Sequence, residues 1–203
     1  MDFITLDVET ANSDPKSICQ IGVAVFQNGE LVDSWDSLIN PKAHFDFMNT
    51  EIHGIDNNKE RNSPTIAQVK GKLDDLIGDK IVGIYSTFDK VALERNFNEI
   101  DYNWLDITKV VRRTWDNVAY SGYGLANVCM LNDIKIDNHH DALSDAIAAG
   151  QVLIHALNTK NLNLTDCKAL IREKISTLIA YGKMSENPNP LNIMIDGGNP
   201  DGE

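Results

Sequence analysis

Carboxylates and one histidine occur at three places in this sequence in combinations that can do chemistry. Asp7 and Glu9 lie two positions apart, so the alternation of a strand places both on one face. Asp89 follows an apolar segment, and Asp145 lies about one helical turn beyond His140. Neighbouring anions repel each other unless a cation lies between them, and histidine titrates near neutral pH. The set is therefore suited to holding divalent metal ions and moving a proton.

Each acid also has a simpler explanation when it is taken alone. Asp7 and Glu9 are compatible with a solvated sheet face, because charged side chains are mostly exposed. Asp89 and Asp145 are compatible with the first turn of a helix, where an acid interacts favourably with the helix dipole. The case for a site depends on the acids occurring together, and on the small residues of the helix that carries Asp145, which allow close packing on a sheet.

Hydrophobic patterning predicts a mixed α/β layer that would position these acids. Residues 3–8 alternate as a strand, with Ile4, Leu6 and Val8 on the face opposite the two acids. Asn28-Gly29 is a strong hairpin signal between two further strands, so the first three strands are expected to be antiparallel. The remaining predicted strands are 80–84 and one near 104–105, and the predicted helices are 65–77, 88–98, 106–114, 124–131, 141–157 and 165–180.

Composition limits the classes of protein to which the chain can belong. A formal net charge of −12 argues against binding nucleic acid chiefly through a basic surface. It is compatible with a site whose bound cations meet the phosphate. The three cysteines lack Cys-x-x-Cys spacing and are interpreted as small buried residues. The acidic N-terminus and the lack of a long apolar stretch predict a cytoplasmic protein that does not enter a membrane.

Three ordered motifs resemble the DnaQ-like exonucleases of the DEDDh type, relatives of the proofreading subunit of the bacterial replicative polymerase. The motifs are residues 3–10, residues 87–89 with Leu93 following, and His140-x-Ala142-Leu143-x-Asp145-Ala146. Segments 52–55, 106–108 and 124–128 also look like this family. The resemblance implies a ribonuclease H-like mixed sheet of about five strands. It predicts an exonuclease domain over residues 1–158, a C-terminal helical extension over 159–182 and a flexible tail over 183–203.

The resemblance also implies a reaction, in which nucleoside 5′-monophosphates are released from the 3′ ends of nucleic acid. Two Mg²⁺ or Mn²⁺ ions would serve the in-line displacement, with Asp7 bridging both and His140 taking the proton of the attacking water. Thr10 and Ala11 would contact the terminal nucleotide through the backbone, and His53 would lie beside it. The four implied metal ligands are Asp7, Glu9, Asp89 and Asp145.

One position departs from the family pattern. Where many relatives have His-Asn before the second motif, this chain has Ile84-Tyr85, which affects how Asp89 is supported. Tyr85 lies four residues before Asp89, as in a tyrosine-type subgroup, but that assignment would leave Asp145 without a role. Where that subgroup would place its tyrosine, this chain has Asp141. We therefore assign the histidine type.

Substrate and partners are the least determined part of the prediction. Single-stranded DNA is favoured over RNA, with a DNA polymerase or another replication or repair protein as a possible partner. The alternatives are an RNA 3′-end-trimming exoribonuclease, a catalytically silent binding module and a ribonuclease H-like endonuclease, although His140 with Asp145 argues against the last. Trp104, Trp115 and Tyr123 are candidates for base stacking, but aromatic residues in such segments are more often part of the packing.

Overall fold

A computed structural model of the chain describes residues 1–167. Five strands form one sheet in the order β3-β2-β1-β4-β5. The first three pair antiparallel, whereas β4 pairs parallel with β1 and β5 pairs parallel with β4. This arrangement confirms the predicted ribonuclease H-like α/β class. The strands are β1 Phe3–Thr10, β2 Ile18–Gln27, β3 Glu30–Leu38, β4 Ile81–Ile84 and β5 Asn103–Asp106.

Seven α-helices and one short 3₁₀ helix accompany the sheet within the described residues. The predicted helices up to residue 157 are present with shifted ends, and the last of them continues to Lys160. The first two helices and the 3₁₀ helix were not predicted, because they are short and lack a repeating apolar face. The helices are α1 Phe47–His53, α2 Asn57–Glu60, α3 Ile66–Ile77, α4 Thr87–Asn96, α5 Ile107–Thr114, α6 Leu125–Leu131 and α7 Ala142–Lys160, and the 3₁₀ helix is Asp116–Tyr120.

Two predictions fall largely or wholly on residues that are not described. The predicted helix 165–180 lies outside the described residues from position 168 onward, and the predicted tail 183–203 lies entirely outside them. Across residues 1–167, no helix combines the length and the apolar character that crossing a bilayer requires.

Local chemistry explains where several elements begin and end. Asn28 and Gly29 both adopt positive φ angles, 54° and 81°, as a tight hairpin turn requires. Thr65 and Gln68 form a reciprocal capping box at the start of α3, so two otherwise unpaired N–H groups are bonded. Ser86 caps α4, with its hydroxyl accepting from the N–H of Phe88. Each of these signals involves residues only a few positions apart in the sequence, which is why the elements could be predicted.

Both faces of the sheet are buried at strands β1 and β2, whereas the edge strand β3 is largely exposed. Ile4, Leu6 and Val8 belong to a core that includes buried residues of α3 and α4. The opposite face packs against α5, α6 and α7, and there Thr5 is fully buried with its hydroxyl donating to the carbonyl of Ala146 at 2.6 Å. The strand face that carries Asp7 and Glu9 is therefore covered by a helix at one end. The simpler explanation, a solvated sheet face, is wrong for this strand.

Two glycines allow α7 to approach the sheet closely. A Cβ atom at Gly22 would lie 2.3 Å from the backbone of Ala142, at the start of α7. A Cβ atom at Gly150 would lie 2.2 Å from the ring of Phe26. The clash at Gly22 is with backbone, so a glycine is required there, whereas a Cβ atom at Gly150 would force the buried ring of Phe26 to move. The small residues of α7 thus serve close packing, as the sequence predicted.

Candidate active site

The five predicted catalytic side chains line one cavity of about 320 Å³ at the end of β1. Because β1 and β4 are parallel neighbours, both strands end at the same edge of the sheet. The first turn of α4 follows β4 there, and the first turn of α7 lies across the same edge. The side chains brought together are Asp7, Glu9, Asp89, His140 and Asp145.

Asp89 is joined directly to β1. Its Oδ1 atom accepts a hydrogen bond of 3.3 Å from the N–H of Val8. Its Oδ2 atom is buried and has no hydrogen-bond partner within residues 1–167. A buried carboxylate oxygen without a partner costs free energy unless another group, such as a cation, satisfies it.

Gln20 determines where α7 begins relative to the sheet. Its side chain lies on β2, donates to Asp141 Oδ2 at 2.8 Å and accepts from the N–H of Ala142 at 3.2 Å. Asp141 in turn caps α7 by accepting from the N–H of Ser144. These contacts hold the first turn of α7, and with it Asp145, over the sheet edge. Nothing in the sequence marks Gln20, because its partners are more than a hundred positions away.

The carboxylates crowd together closely enough to share a cation. The nearest oxygen atoms of Asp7, Glu9 and Asp145 all lie within 4.8 Å of one another. Burial, and then the charges of Asp145 and Asp89, raise the pKa of Glu9 to about 8. Burial raises the pKa of Asp89 to about 7 although backbone N–H groups counteract it, and burial together with Asp89 raises the pKa of Asp7 well above its ordinary value. Without a cation, these acids hold protons that ordinary carboxylates release.

The donor set fits a hard divalent cation. Carboxylate oxygens are the ligands that Mg²⁺ and Mn²⁺ prefer, and several negative charges offset the charge of the ions. The unpartnered Oδ2 atom of Asp89 and the raised pKa values of the acids both point to the same missing positive charge. The residues present therefore fit the metal site that the motifs predicted.

Two histidines, rather than one, lie at the mouth of the carboxylate cluster. His140 has a positive φ of 70°, and its backbone N–H donates to Asp145 Oδ2 at 3.2 Å. The ring of His139 stacks on that of His140 with centroids 3.8 Å apart, and its Nδ1 atom lies 3.0 Å from Asp145 Oδ1. Sequence reasoning missed His139, although its position next to His140 was a signal. Side-chain atoms of His139, His140 and Asp145 that could bind a metal ion also lie within 4.8 Å of one another.

The surroundings of His140 suit a proton acceptor. Burial, and then the neighbouring His139, lower its pKa, although Asp145 opposes the shift. The imidazole is therefore neutral near neutral pH, with a lone pair free to take a proton.

The three predicted nucleotide contacts differ in where they lie. Thr10 lines the cavity, and its carbonyl accepts from Asn49 Nδ2 at 2.9 Å and contacts His53 Nε2 at 3.1 Å. Ala11 is fully buried, with its N–H bonded to Ser17 and its carbonyl bonded to the N–H of Asp46. Neither Ala11 nor His53 lines the cavity. The N–H and carbonyl of Ala11 are thus bonded within the fold, and His53 contacts the end of β1. The predicted contacts of both residues with the terminal nucleotide stay predictions.

Tyr85 forms part of the cavity wall, but its hydroxyl is engaged elsewhere. The hydroxyl donates to the carbonyl of Tyr123 at 3.0 Å, and the carbonyl of Tyr85 accepts from the hydroxyl of Thr108. Burial raises the pKa of the Tyr85 hydroxyl. These contacts agree with the interpretation that a histidine, not Tyr85, is the proton acceptor.

Comparison with known proteins gives one family and a consistent set of relatives. Residues 4–153 match the model of the family described as Exonuclease. The chain is similar to the PolC-type DNA polymerase III of Thermotoga maritima, with 28% identity over 88% of this chain and 13% of that protein. It is also similar to the PolC-type DNA polymerase III of Clostridium perfringens, with 24% identity over 87% of this chain and 13% of that protein. The chain thus spans only a small part of the length of these relatives.

Solved structures share the fold at low sequence identity. Exonuclease X in complex with 5′ overhanging duplex DNA matches with a TM-score of 0.70 and 19% identity, covering 83% of this chain and 99% of that one. The nuclease domain of 3′hExo, described as a DEDDh family member bound to rAMP, matches with a TM-score of 0.64 and 17% identity, covering 77% and 92%. Both carry the same arrangement of sheet and helices as this chain.

Proposed function

The chain belongs to the exonuclease family, and we propose that its site removes nucleotides one at a time from the 3′ end of single-stranded nucleic acid. The family match confirms the family that the three motifs predicted and the prediction that the protein is an enzyme. The observation that carries the proposal is the convergence of Asp7, Glu9, Asp89, His140 and Asp145 on one cavity.

The proposed cofactor is a pair of Mg²⁺ or Mn²⁺ ions. Asp7, Glu9, Asp89 and Asp145 would hold them, and the negative charges of the other three acids all act on Asp7. When bound, the two ions would stabilise the negative charge on the attacking and leaving oxygens of an in-line phosphodiester displacement. The unpartnered Oδ2 atom of Asp89 supports this assignment.

His140 is proposed as the general base. Its neutral imidazole would take a proton from the water that attacks the last phosphodiester bond. The hydrogen bond from the backbone N–H of His140 to Asp145 Oδ2 holds the residue in position at the cavity mouth. Breaking the bond between phosphorus and the 3′ oxygen leaves a nucleoside 5′-monophosphate, and Thr10 would contact that terminal nucleotide from the cavity wall.

We propose DNA as the substrate and a polymerase as an associated protein. The similarity to PolC-type DNA polymerase III proteins and to exonuclease X in complex with DNA supports both choices. An exoribonuclease is the second candidate, favoured by the similarity to 3′hExo bound to rAMP. A catalytically silent module is disfavoured, because this chain retains all four acids in one cavity.

The test compares single-stranded DNA and RNA, each labelled at the 5′ end, in the presence of Mg²⁺. We expect the wild-type protein to produce a ladder of products that shorten by one nucleotide at a time, and the Asp7→Ala variant to produce none. Asp75→Ala is the matched control, since it removes one exposed carboxylate from α3, away from the cavity. A ladder that persists in Asp7→Ala contradicts the proposed site, and nicking of a closed circular single strand contradicts an exonuclease.

A further inference from the structure

A second cleft, of about 570 Å³, adjoins the catalytic cavity. Tyr85 and Ser86 line both, so the two are continuous along one wall. The far side of the cleft is formed by Lys109 and Arg112 of α5 and by Tyr123. A nucleic-acid strand that entered the catalytic cavity from this side would pass through the cleft first.

The cleft combines the cations of Lys109 and Arg112 with an aromatic ring, and the carboxylate of Asp106 also lines it. The guanidinium of Arg112 lies 4.7 Å from the centre of the Tyr123 ring, and Arg112 is exposed. Among residues 1–167, no carboxylate forms an ion pair with Arg112, whereas Lys109 pairs with Asp106 at 3.1 Å. On a chain with net charge −12, such a cation beside a carboxylate cluster is suited to an anionic ligand. Arginine next to a partly exposed aromatic ring is a combination that binds phosphate and base together.

Tyr123 differs from the other aromatic residues that the sequence offered for base stacking. Trp104 packs edge-on against Tyr102 beside one core, and Trp115 stacks on His155 beside the other. Tyr123 lines the cleft, and its backbone carbonyl accepts from the hydroxyl of Tyr85. Tyr123 also packs against the core that Trp115 borders, but of the three rings only that of Tyr123 lines the cleft, where it is held at a fixed place.

We propose that this cleft binds the part of the nucleic-acid strand immediately 5′ of the scissile phosphate, with Tyr123 stacking on a base and Arg112 contacting a backbone phosphate. The inference rests on the proposed function, because that function places the scissile phosphate in the adjoining cavity. It also gives Tyr85 a role, as the wall shared by the catalytic cavity and the strand-binding cleft.

The test uses two substrates that differ in whether they reach the cleft. Decathymidylate extends into it, whereas thymidine 5′-(4-nitrophenyl phosphate) has a single nitrophenyl leaving group in place of the upstream part of the strand. We expect the ratio of kcat/KM for the oligonucleotide to kcat/KM for the ester to fall at least about fivefold in Arg112→Gln and in Tyr123→Leu. Tyr123→Phe keeps the ring and should retain the wild-type ratio. A ratio that is unchanged in both Arg112→Gln and Tyr123→Leu overturns the proposal.

The matched control for charge is Lys160→Gln. It removes one positive charge at the far end of α7, about 22 Å along the helix from Asp145. We expect this variant to keep the wild-type ratio. If its ratio falls as far as that of Arg112→Gln, net charge rather than the cleft is responsible, and the proposal is wrong.

A binding measurement separates failure of the cleft from failure of the proposed function. Fluorescence anisotropy of labelled decathymidylate is measured in Ca²⁺ over a range of salt concentrations. We expect Arg112→Gln to raise Kd and to lower the slope of log Kd against log salt by about 0.7, the value for one phosphate contact on a single strand. A wild-type protein that hydrolyses neither substrate contradicts only the exonuclease function. Unchanged Kd and slope in Arg112→Gln contradict the cleft.

Discussion

Single residues of the site have properties that depend on their surroundings rather than on their type. Glu9 and Asp89 are ordinary acids in the sequence, yet burial and neighbouring carboxylates raise their pKa values to about 8 and about 7. His140 is shifted in the opposite direction, because burial and His139 disfavour its charged form. At neutral pH the site therefore contains a neutral base beside acids that a bound cation would ionise more fully.

Substitution of the two histidines distinguishes the base from its neighbour. We expect His140→Gln to lower kcat by about 10²–10⁴-fold, the usual contribution of a general base. His139→Gln should lower kcat less, because His139 is not the proposed proton acceptor. Its ring contacts Asp145 and stacks on His140, and so acts on the base only indirectly. Steady-state kinetics with Mg²⁺ give both values, and calorimetry with Mn²⁺ checks that His140→Gln still binds metal. If kcat falls further in His139→Gln than in His140→Gln, the assignment of His140 as the base is wrong.

Among the elements, α7 has the greatest effect on the geometry of the site. It carries Asp145 in its first turn, and its start is held to β2 by the side chain of Gln20. Its approach is possible only because Gly22 leaves room for the backbone of Ala142. The position of Asp145, a proposed metal ligand, thus depends on two residues of a strand that carries none of the proposed site residues.

Replacing glycine by alanine tests this close approach. Gly22→Ala should lower the free energy of unfolding by about 1–3 kcal/mol, because the new methyl group would overlap the start of α7. It should also reduce kcat, since Asp145 moves with the helix. Gly71→Ala is the control, because Gly71 lies in α3 with no atom within 4 Å of the added Cβ. There we expect a gain of about 0.5–1 kcal/mol from helix propensity. Urea unfolding measures both, and equal effects would show that α7 does not approach closely.

For the whole molecule, charge is distributed unevenly with respect to the proposed substrate. A net charge of −12 repels a polyanion, so the proposed binding would depend on cations held by the carboxylate cluster and on Arg112 in the cleft beside it. The same cluster makes the stability of the metal-free protein depend on pH, because its acids lose their protons less readily in the folded state than in the unfolded state.

The metal-free protein should become less stable as the pH rises. The ordinary pKa of glutamate is about 4.3. Burial and neighbouring acids raise the pKa of Glu9 in the folded protein to about 8. Between these values the folded state binds more protons than the unfolded state, so stability is fully present below the lower value and is lost as the pH rises through the upper one. In EDTA we expect Tm to be lower at pH 8.5 than at pH 6, with a smaller difference in Glu9→Gln.

Added Mn²⁺ should reverse this trend. Because the metal binds the ionised carboxylates, it should raise Tm more at pH 8.5 than at pH 6. Thermal unfolding followed by circular dichroism measures all of these conditions. A Glu9→Gln variant with the same pH dependence as the wild type, both with and without Mn²⁺, would contradict a shifted Glu9 in a metal site.

The sequence by itself determined the family, the order of the strands along the chain, the hairpin at Asn28-Gly29 and most helices. These features depend on alternation, periodicity and capping, which act between residues a few positions apart. The three motifs likewise predicted the four acids and His140 as a set, because their types and order are visible without a fold, and the five side chains do line one cavity.

Only the tertiary structure decided what surrounds those residues. Gln20 and Asp141 are separated by 121 positions, yet their hydrogen bond sets the start of α7. The coverage of both sheet faces, the burial of Ala11 and the contact of His139 with Asp145 also emerge only when the elements pack. Such contacts depend on close packing between distant segments, for which no local pattern of residue types exists.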